Sequence, residues 1–370
     1  MEKKDDALLK IVRSALWKRS LVDEDLSGFV FQDIQRAAIR QTVLGLFVQS
    51  LLEEHHNIKL TKQDVFNIIA YQNKIRRQNI KTNAVLEELC DLLKSHSIDF
   101  LIVKGQILAQ FYPDPLMRQS GDIDFYCSEK DFERARIVIS EVWNVVFHEN
   151  EEGDDEQHIA FEYKDIMFEM HFCLLRFASP KIQERFDRMI KESTPYTIKV
   201  GKTNVPTLSP VENIVFTFLH LYHHFIELGI GLRQICDMTL LLYGYRNLLC
   251  EGKEKDDLSY WLRQLGYYNA FNAFGNICVK DLGLAKSEYP FPITKHIDSY
   301  RKPILNIVFK RGNFGMYGRR NKVRSGILYY LETFYIKLNH YIRFYTLSRK
   351  ENLFVLIYGI PKKIIYAIKR

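Results

Sequence analysis

The sequence predicts an α+β fold in which N-terminal helices and a C-terminal helical domain flank a small mixed β-sheet. Residues 1–97 repeat apolar residues every three or four positions, as amphipathic helices do. Short apolar runs separated by turn residues fall within 98–207 and predict strands. From residue 208 onward, apolar residues again recur every three or four positions, as in helices. We therefore expect an N-terminal helical region, a mixed α/β core, a helical domain over 208–300 and a basic, aromatic helical tail over 301–370.

The composition is that of a globular protein with a sizeable core. The chain has 370 residues, of which 47% are hydrophobic and 26% are charged. This excludes a disordered chain, a fibrous repeat and a disulfide-stapled miniprotein. No run of about 18 apolar residues predicts a transmembrane helix. The N-terminal residues do not resemble a signal peptide, so we expect a cytoplasmic protein whose six cysteines are reduced.

Charge is distributed unevenly along the chain. The net charge is +7, but residues 301–370 contain 16 basic and two acidic residues, a net charge of +14. Residues 1–300 contain 36 basic and 43 acidic residues, a net charge of −7. The sequence therefore combines an acidic body with a basic tail rich in aromatic residues.

The elements follow in order from these patterns. Helices are predicted within 6–17, 35–54, 62–97, 106–112 and 128–142, the last with Ser128 as N-cap and Asp131 at the N3 position. Strands are predicted at 99–103, 121–127, 144–148, 158–163 and 166–172. Lys164–Asp165 joins the last two strands as a hairpin, 149–157 is an acidic turn, and 197–205 is a small hairpin. A further helix begins after Ser209, with Pro210 as its first residue.

Two carboxylates stand on one predicted strand. Asp122 and Asp124 are two residues apart, so both point to the same face, about 6.5–7 Å apart. Ile123 and Phe125 face the other way, toward a core. Two acids on one face of an apolar strand favour a bound divalent cation such as Mg²⁺. The alternative is that the pair marks only an exposed strand edge.

Glu169 is the best candidate for a third carboxylate. It lies on the strand 166–172, and an antiparallel neighbour would bring it beside Asp122. His171 would share its face. Three carboxylates are enough for a two-metal site.

Basic residues and glycine precede the acidic pair. Lys104 and Gly105 follow the first strand and open a helix, where glycine allows close backbone approach to a phosphate. Arg118 lies four residues before Asp122. It either steadies phosphate oxygens, pairs with the acids or lies on the surface.

These residues carry a resemblance to a known family. The segments LIVKGQILAQFYPDPLMRQSGDIDFYC, FEMHF and HHFIELGIGLRQICD resemble the uncharacterised nucleotidyltransferase family of the polymerase β-like superfamily. The resemblance covers about residues 30–250 and is specific at KG…R…GDIDFY and at GLRQICD. It implies a small mixed sheet packed on a helical domain.

The resemblance also implies an activity, the transfer of a nucleoside monophosphate from an NTP to an acceptor hydroxyl with two Mg²⁺ ions. Asp122 and Asp124 match the paired metal ligands, and Glu169 matches the third carboxylate, the base for the acceptor. Gly105 matches the glycine of the phosphate-binding turn. The superfamily has Gly-Ser there, whereas this chain has Lys104-Gly105, and that departure leaves an altered or silent activity open. The expected nucleotide contacts are Lys104, Gly105, Arg118, Gly121, Arg233 and Asp237.

The helical domain adds three histidines and an Arg–Asp pair. His220, His223 and His224 share a helix, and with Asp237 they would suit a metal phosphohydrolase, but packing or nucleotide contact is the favoured interpretation. Arg233 and Asp237 are four residues apart. They either form an intrahelical ion pair or face the cleft.

Three interpretations of the tail remain open. Residues 310–324 predict a loop, and after them Tyr, Phe, Leu and Ile alternate with Arg and Lys, until Pro361 interrupts the last helix. A helix packed on the acidic body, peripheral attachment to an anionic membrane through 325–370, and nucleic-acid binding all fit. Nucleic-acid binding is the least favoured, because no folded nucleic-acid-binding module is recognisable.

The sequence thus supports a Mg²⁺-dependent nucleotidyltransferase with NTP as substrate. A catalytically silent binding protein that retains the fold and a histidine-dependent metal phosphohydrolase are the alternatives. The acceptor is not readable from the sequence.

Overall fold

A computed structural model describes residues 2–22, 24–26, 28–148, 157–250, 252–321 and 326–361. Its helices are α1 (Lys3–Trp17), α2 (Phe31–Arg40), α3 (Leu44–Glu53), α4 (Lys62–Ser95), α5 (Gly105–Ala109), α6 (Glu129–Trp143), α7 (Pro180–Glu192), α8 (Pro210–Glu227), α9 (Leu232–Gly244), α10 (Arg246–Cys250), α11 (Lys253–Leu265), α12 (Tyr268–Lys280), α13 (Lys295–Asp298), α14 (Arg301–Arg311), α15 (Ile327–Arg343) and α16 (Arg349–Phe354). Its strands are β1 (Phe100–Val103), β2 (Asp122–Cys127), β3 (His158–Tyr163), β4 (Ile166–His171), β5 (Tyr196–Val200) and β6 (Thr203–Thr207). The α+β fold class is confirmed.

The central sheet has four strands in the order β1-β2-β4-β3. β2 is antiparallel to β1 and parallel to β4, and β3 and β4 form an antiparallel hairpin. The hairpin turn has two residues, Lys164 and Asp165, both with a positive φ, which suits the twist of the strands that it joins. The small hairpin of β5 and β6 is also confirmed.

One face of the sheet is apolar. Ile123 and Phe125 of β2 point into a core with residues from β3, β4, α6 and the second half of α4. Phe161 and Phe168 stack there with ring centroids 4.7 Å apart, and both are fully buried. Burial of each such ring contributes about 1.5–3 kcal/mol to folding. This packing fixes the strands and turns the alternate side chains of β2 and β4 to the opposite face.

A second, larger core joins the two ends of the chain. It contains residues of α1 to α3 together with residues of α8, α9, α12 and α14. Gln41 lies at this junction, since its side chain donates to the Val308 carbonyl at 3.0 Å and accepts from the Leu232 N–H at 2.9 Å. The boundaries near residues 97, 207 and 300 remain predictions.

Two predicted elements differ from the structure. The single helix expected over 35–54 is interrupted between α2 and α3, where Thr42 has a φ of +55° and the Gln41 carbonyl accepts from Arg233 of α9. The strand expected at 144–148 is reduced to one bridge between His148 and Ala160. The acidic turn at 149–157 lies almost wholly outside the described residues.

The sequence also predicts the residues at which two helices begin. Ser128 is the N-cap residue of α6 as expected, but among the described residues its side chain makes no capping hydrogen bond to the helix. Pro210 opens α8 as expected. None of the described helices is both long and apolar enough to cross a membrane.

Candidate active site

The carboxylates of β2 and β4 lie on the polar face of the sheet. Asp124 stands opposite Glu169 in the register of the two strands, and Asp122 stands opposite Met167. Glu169 therefore comes close to the acidic pair, as expected, but β4 is parallel to β2, so the antiparallel arrangement expected for it is wrong. The parallel arrangement arises because α6 and β3 lie between the two strands in the chain.

Asp124 is buried and bonded on both sides. One of its oxygens, Oδ1, accepts from Lys104 Nζ at 2.7 Å and contacts His171 Nε2 at 2.9 Å. Burial alone would raise the pKa of this carboxyl, but Lys104 and His171 outweigh it and hold the pKa well below its usual value. Asp124 is therefore ionised, and two basic groups share its charge.

Asp122 differs from Asp124 because its pKa is raised rather than lowered. Burial, followed by repulsion from Asp124 and Glu169, raises the pKa of Asp122 to about 6. Lys104 and Arg233 oppose this shift without cancelling it. A carboxyl whose charge is disfavoured in this way would gain from a bound cation.

Histidine completes this face of the sheet. His171 is buried, and although burial opposes its protonation, the neighbouring carboxylates of Asp124 and Glu169 raise its pKa. His158 of β3 stands opposite His171 in the register and lies 3.8 Å from Glu169 through its Nε2 atom. Burial lowers the pKa of His158.

His158 is a site residue that the sequence analysis missed. A two-residue turn at Lys164–Asp165 forces the pairing of Tyr163 with Ile166, and counting outward from there places His158 opposite His171. The two-residue length of the predicted hairpin turn therefore indicates, from the sequence alone, that His158 pairs with His171.

The turn before α5 brings backbone close to the carboxylates. Lys104 has a φ of +54° and Gly105 a φ of +22°. A Cβ atom at Gly105 would lie 3.3 Å from the Asp122 carbonyl oxygen, tighter than most real contacts, so glycine suits the position. α5 has only five residues, too few to serve as an anion site by its N-terminus alone. Gly121 is exposed, with open space where a side chain would stand.

Arg118 and Asp237 form a closed ion pair. Arg118 Nε and Nη2 donate to the two oxygens of Asp237 at 2.7 and 2.8 Å, and both side chains are less than 5% exposed. Arg118 Nη1 donates to Ser120, and the Tyr112 hydroxyl donates to Asp237 at 2.7 Å. The interpretations of Arg118 as a surface residue, and as an ion-pair partner of Asp122 and Asp124, are therefore wrong.

Arg233 does not form the intrahelical pair with Asp237 that its spacing suggested. Its Nη1 atom donates to the Gln119 carbonyl at 2.8 Å, while its Nε atom is buried and finds no hydrogen-bond partner in the described part of the chain. Burial and the nearby Arg118 lower its pKa, and Asp237 and Asp122 oppose that shift. Arg233 thus supports the segment that leads into β2.

The three histidines of α8 do not belong to the donor group of the sheet, although Lys104 and Asp124 influence the pKa of His220 and His224. His220 and His224 face each other, with their Nε2 atoms 3.2 Å apart, and His223 lies 4.0 Å from Glu227. Burial lowers the pKa of His220 strongly and that of His224 to about 3. Asp237 is held by Arg118, so it does not complete a metal site with them.

Side chains suited to hold a divalent cation meet on the polar face of the sheet. Among the described residues, the group of His, Cys, Asp and Glu side chains placed to hold an ion is His158, Glu169 and His171. Asp124 adjoins it through His171. Asp122, Asp124 and Glu169 stand beside the single lysine Lys104, and burial together with repulsion from the other two acids raises the pKa of Asp122. The donor set therefore fits divalent cations.

Comparisons with solved structures give remote likenesses. An antigenic nucleotidyltransferase-like protein from Paracoccidioides brasiliensis matches with 15% identity and a TM-score of 0.38, over 59% of this chain and 96% of its own. The polymerase core of TRAMP, an RNA surveillance complex, matches with 13% identity and a TM-score of 0.21, over 78% of this chain and 79% of its own. Neither likeness is strong enough to carry an argument about the site. A comparison with curated proteins gives no match.

A comparison with models of protein families gives a match. The model of an uncharacterised nucleotidyltransferase family matches residues 27–277, more than half of the chain. The match includes β1 to β4, the carboxylates and α9, and it ends before the basic tail. The chain belongs to this uncharacterised nucleotidyltransferase family.

Proposed function

We propose that the protein transfers a nucleoside monophosphate from an NTP to an acceptor hydroxyl, with Asp122, Asp124 and Glu169 as ligands of two Mg²⁺ ions. One observation carries the proposal: three carboxylates converge on one face of two paired strands, in a chain of a nucleotidyltransferase family. Bound there, Mg²⁺ would supply Lewis-acid stabilisation of the triphosphate and lower the pKa of the acceptor hydroxyl.

The protein's own groups would do the remaining work. Glu169 is 28% exposed, against 3% for Asp124, and would accept the proton of the acceptor hydroxyl. Lys104 lies 2.7 Å from Asp124 and would exchange that contact for a phosphate oxygen. Gly105 would allow the triphosphate to approach the backbone beside Asp122. Arg118, Asp237 and Arg233 would act indirectly, by holding the segment before β2.

The test is the transfer of label from α-labelled NTPs to components of a cell extract in the presence of Mg²⁺. Replacing Asp122 and Asp124 together by Ala should reduce transfer by at least about 100-fold, the size of effect seen when groups that stabilise transition-state charge are removed. Asp91→Ala, which removes an exposed carboxylate of α4, is the matched control and should leave transfer unchanged. Undiminished transfer by the double variant would refute the assignment.

A silent binding protein is the second candidate, and one observation favours it. Lys104 and His171 already contact Asp124, so two basic groups stand where a cation would bind. In that case NTP would bind without release of pyrophosphate. Binding measured by calorimetry, with no pyrophosphate formed in any extract, would support this candidate over the enzyme.

We also propose that the tail attaches to an anionic membrane. α15 packs on the body through its buried residues Ile336, His340 and Tyr341. Its outer side, which we name the α15 stripe, is apolar and between 38% and 77% exposed; it consists of Ile327, Leu328, Leu331, Phe334, Tyr335 and Ile342.

Charge argues for a lipid surface as the occupant of the α15 stripe. Arg320, Arg343, Arg349 and Lys350 are exposed near it along the chain, and residues 301–370 carry a net charge of +14. A second copy would bring like charges together, whereas anionic lipids attract them by about 1 kcal/mol per basic residue. Aromatic and aliphatic side chains would insert between the headgroups.

Sedimentation with vesicles tests this attachment. The protein should bind phosphatidylcholine vesicles only when they contain phosphatidylserine, and high salt should release it. Leu331→Ser with Tyr335→Ser should abolish binding, whereas Phe66→Ser, which removes an exposed apolar side chain of α4, should not. Absence of wild-type binding, or a dimer in solution that the double variant disrupts, would contradict the proposal.

A further inference from the structure

Two histidines and a glutamate of the polar sheet face form a compact donor group. The ligand atoms of His158, Glu169 and His171 all lie within 4.8 Å of one another. Glu169 stands between the rings, with its oxygens 3.8 Å from His158 Nε2 and 3.5 Å from His171 Nε2. The ring centroids of the two histidines are 4.9 Å apart.

These separations exceed those of charge-assisted hydrogen bonds, which are about 2.7–2.9 Å. They suit atoms arranged around one ion: donors about 2.0–2.2 Å from a metal stand roughly 3–3.5 Å from each other. Asp124 Oδ1 lies 2.9 Å from His171 Nε2, in a hydrogen bond that a bound ion would replace, and it would then supply a fourth donor. The buried Nδ1 atom of His171 has no hydrogen-bond partner among the described residues, and the ring is oriented by its Nε2 contact with Asp124.

The chemistry of the donors indicates which ion they prefer. Mg²⁺ takes oxygen ligands almost exclusively, whereas imidazole nitrogen suits Zn²⁺, Co²⁺ and their neighbours in the first transition row. Asp122 and Asp124 offer only oxygen, but the group around Glu169 offers two nitrogens. The two ends of this face therefore differ in the ion that they favour.

We infer that His158, Glu169 and His171, with Asp124, form a binding site that prefers a divalent transition-metal ion to Mg²⁺, so that this ion takes the place of one of the two Mg²⁺ ions of the proposed function. Metal binding there depends on these residues alone. Its meaning for catalysis rests on the proposed function: the acceptor hydroxyl would be activated beside a transition-metal ion, while the Asp122 end retains Mg²⁺ and the triphosphate.

His220 and His224 of α8 provide an internal comparison. Their Nε2 atoms are 3.2 Å apart, the distance of a direct hydrogen bond, and the metal-type group found among the described residues does not include them. Because no carboxylate of the described residues completes a donor group with this pair, it should not retain an ion, and variants at these positions are matched controls for variants at His158 and His171.

The first test is electron spin echo spectroscopy of Mn²⁺ added to the metal-free full-length protein. Modulation from imidazole nitrogen is expected in the wild type, weaker in His158→Gln and weaker again in His171→Gln. His224→Gln should leave it unchanged. The wild-type spectrum needs no variant, so a folding defect in one of them does not remove the test. A wild-type spectrum without nitrogen modulation would overturn the inference.

Calorimetry supplies the second test. Co²⁺ should bind more tightly than Mg²⁺, and His158→Gln should weaken Co²⁺ binding by at least about tenfold while Mg²⁺ binding stays the same. Equal losses for both ions, or a loss only in His224→Gln, would overturn the inference. Nitrogen-ligated metal without nucleotidyl transfer would refute the proposed function and leave the site standing. Nucleotidyl transfer with Mg²⁺, without nitrogen ligation of the metal, would overturn the inferred site and leave the proposed function standing.

Discussion

Two buried groups of charged side chains border the segment 118–122, and they differ in how completely their charges are paired. In the first, the closed pair, the Arg118 guanidinium meets the Asp237 carboxylate through two bonds of 2.7 and 2.8 Å. The second, which we name the carboxylate group, consists of Asp122, Asp124 and Glu169. These three acids share Lys104 and His171 as basic neighbours.

The difference separates a structural anchor from a site that can accept a cation. A matched buried pair gives little net stability by itself, but removal of one partner leaves a charge without compensation. A group with excess negative charge is destabilised by its own repulsion, and a divalent cation relieves that repulsion. Each prediction below tests one side of this comparison.

The largest effect is expected from Asp237→Ala. The change leaves Arg118 charged, buried and without its carboxylate, so the free energy of unfolding should fall by about 3–5 kcal/mol. Urea denaturation measures it, with Asp91→Ala as the control that should change stability by less than about 0.5 kcal/mol. A loss for Asp237→Ala as small as that of the control would show that the pair is not an anchor.

A divalent cation should have the next largest effect, and only at the carboxylate group. At about 100 times its dissociation constant, Mn²⁺ should raise the free energy of unfolding by about 2.7 kcal/mol. The replacement of Asp122 and Asp124 together by Asn should remove this stabilisation, and Asp91→Ala should retain it. Equal stabilisation of the wild type and the double variant, measured by thermal unfolding, would place the cation elsewhere.

The smallest effect concerns Asp122 alone, without metal. Its pKa is about 6 in the folded protein, whereas an unfolded aspartate has a pKa of about 3.9. The folded state therefore binds this proton more tightly, and the wild type loses stability as the pH rises from about 4 to about 6. Asp122→Asn escapes that loss.

The variant should accordingly be more stable than the wild type by about 1–2 kcal/mol at pH 8, with no difference near pH 4. Denaturation of both proteins across this pH range provides the measurement. An advantage that grew as the pH fell would contradict the raised pKa.

The strands and their acids could be predicted because the period of two is a local property. Asp122 and Asp124 share a face on any strand, and the two-residue turn at Lys164–Asp165 sets the β3–β4 register. The direction of β4 relative to β2 was missed because it depends on the course of the chain through α6 and β3. No pattern within either strand records that course.

The closed pair was missed for a related reason. Arg233 is four residues from Asp237 and seemed its natural partner, whereas Arg118 is 119 residues away in the sequence and 2.7 Å away in space. The break at Gln41 likewise depends on contacts with α9 and α14. Local periodicity predicts elements, but these contacts arise only when distant elements pack.

The segment before β2 has a consequence for the order in which the protein folds. It is held by helices from three parts of the chain: Asn79 donates to the Arg118 carbonyl, the Leu44 N–H donates to the Gln119 side chain, and Arg233 donates to the Gln119 carbonyl. During synthesis, the last of these contacts waits for more than 100 further residues after β2 has left the ribosome. A nascent chain that ends before α9 contains every carboxylate of the site and the contacts from Leu44 and Asn79, but it lacks the Arg233 contact, so the support of this segment is completed only after α9 has been made.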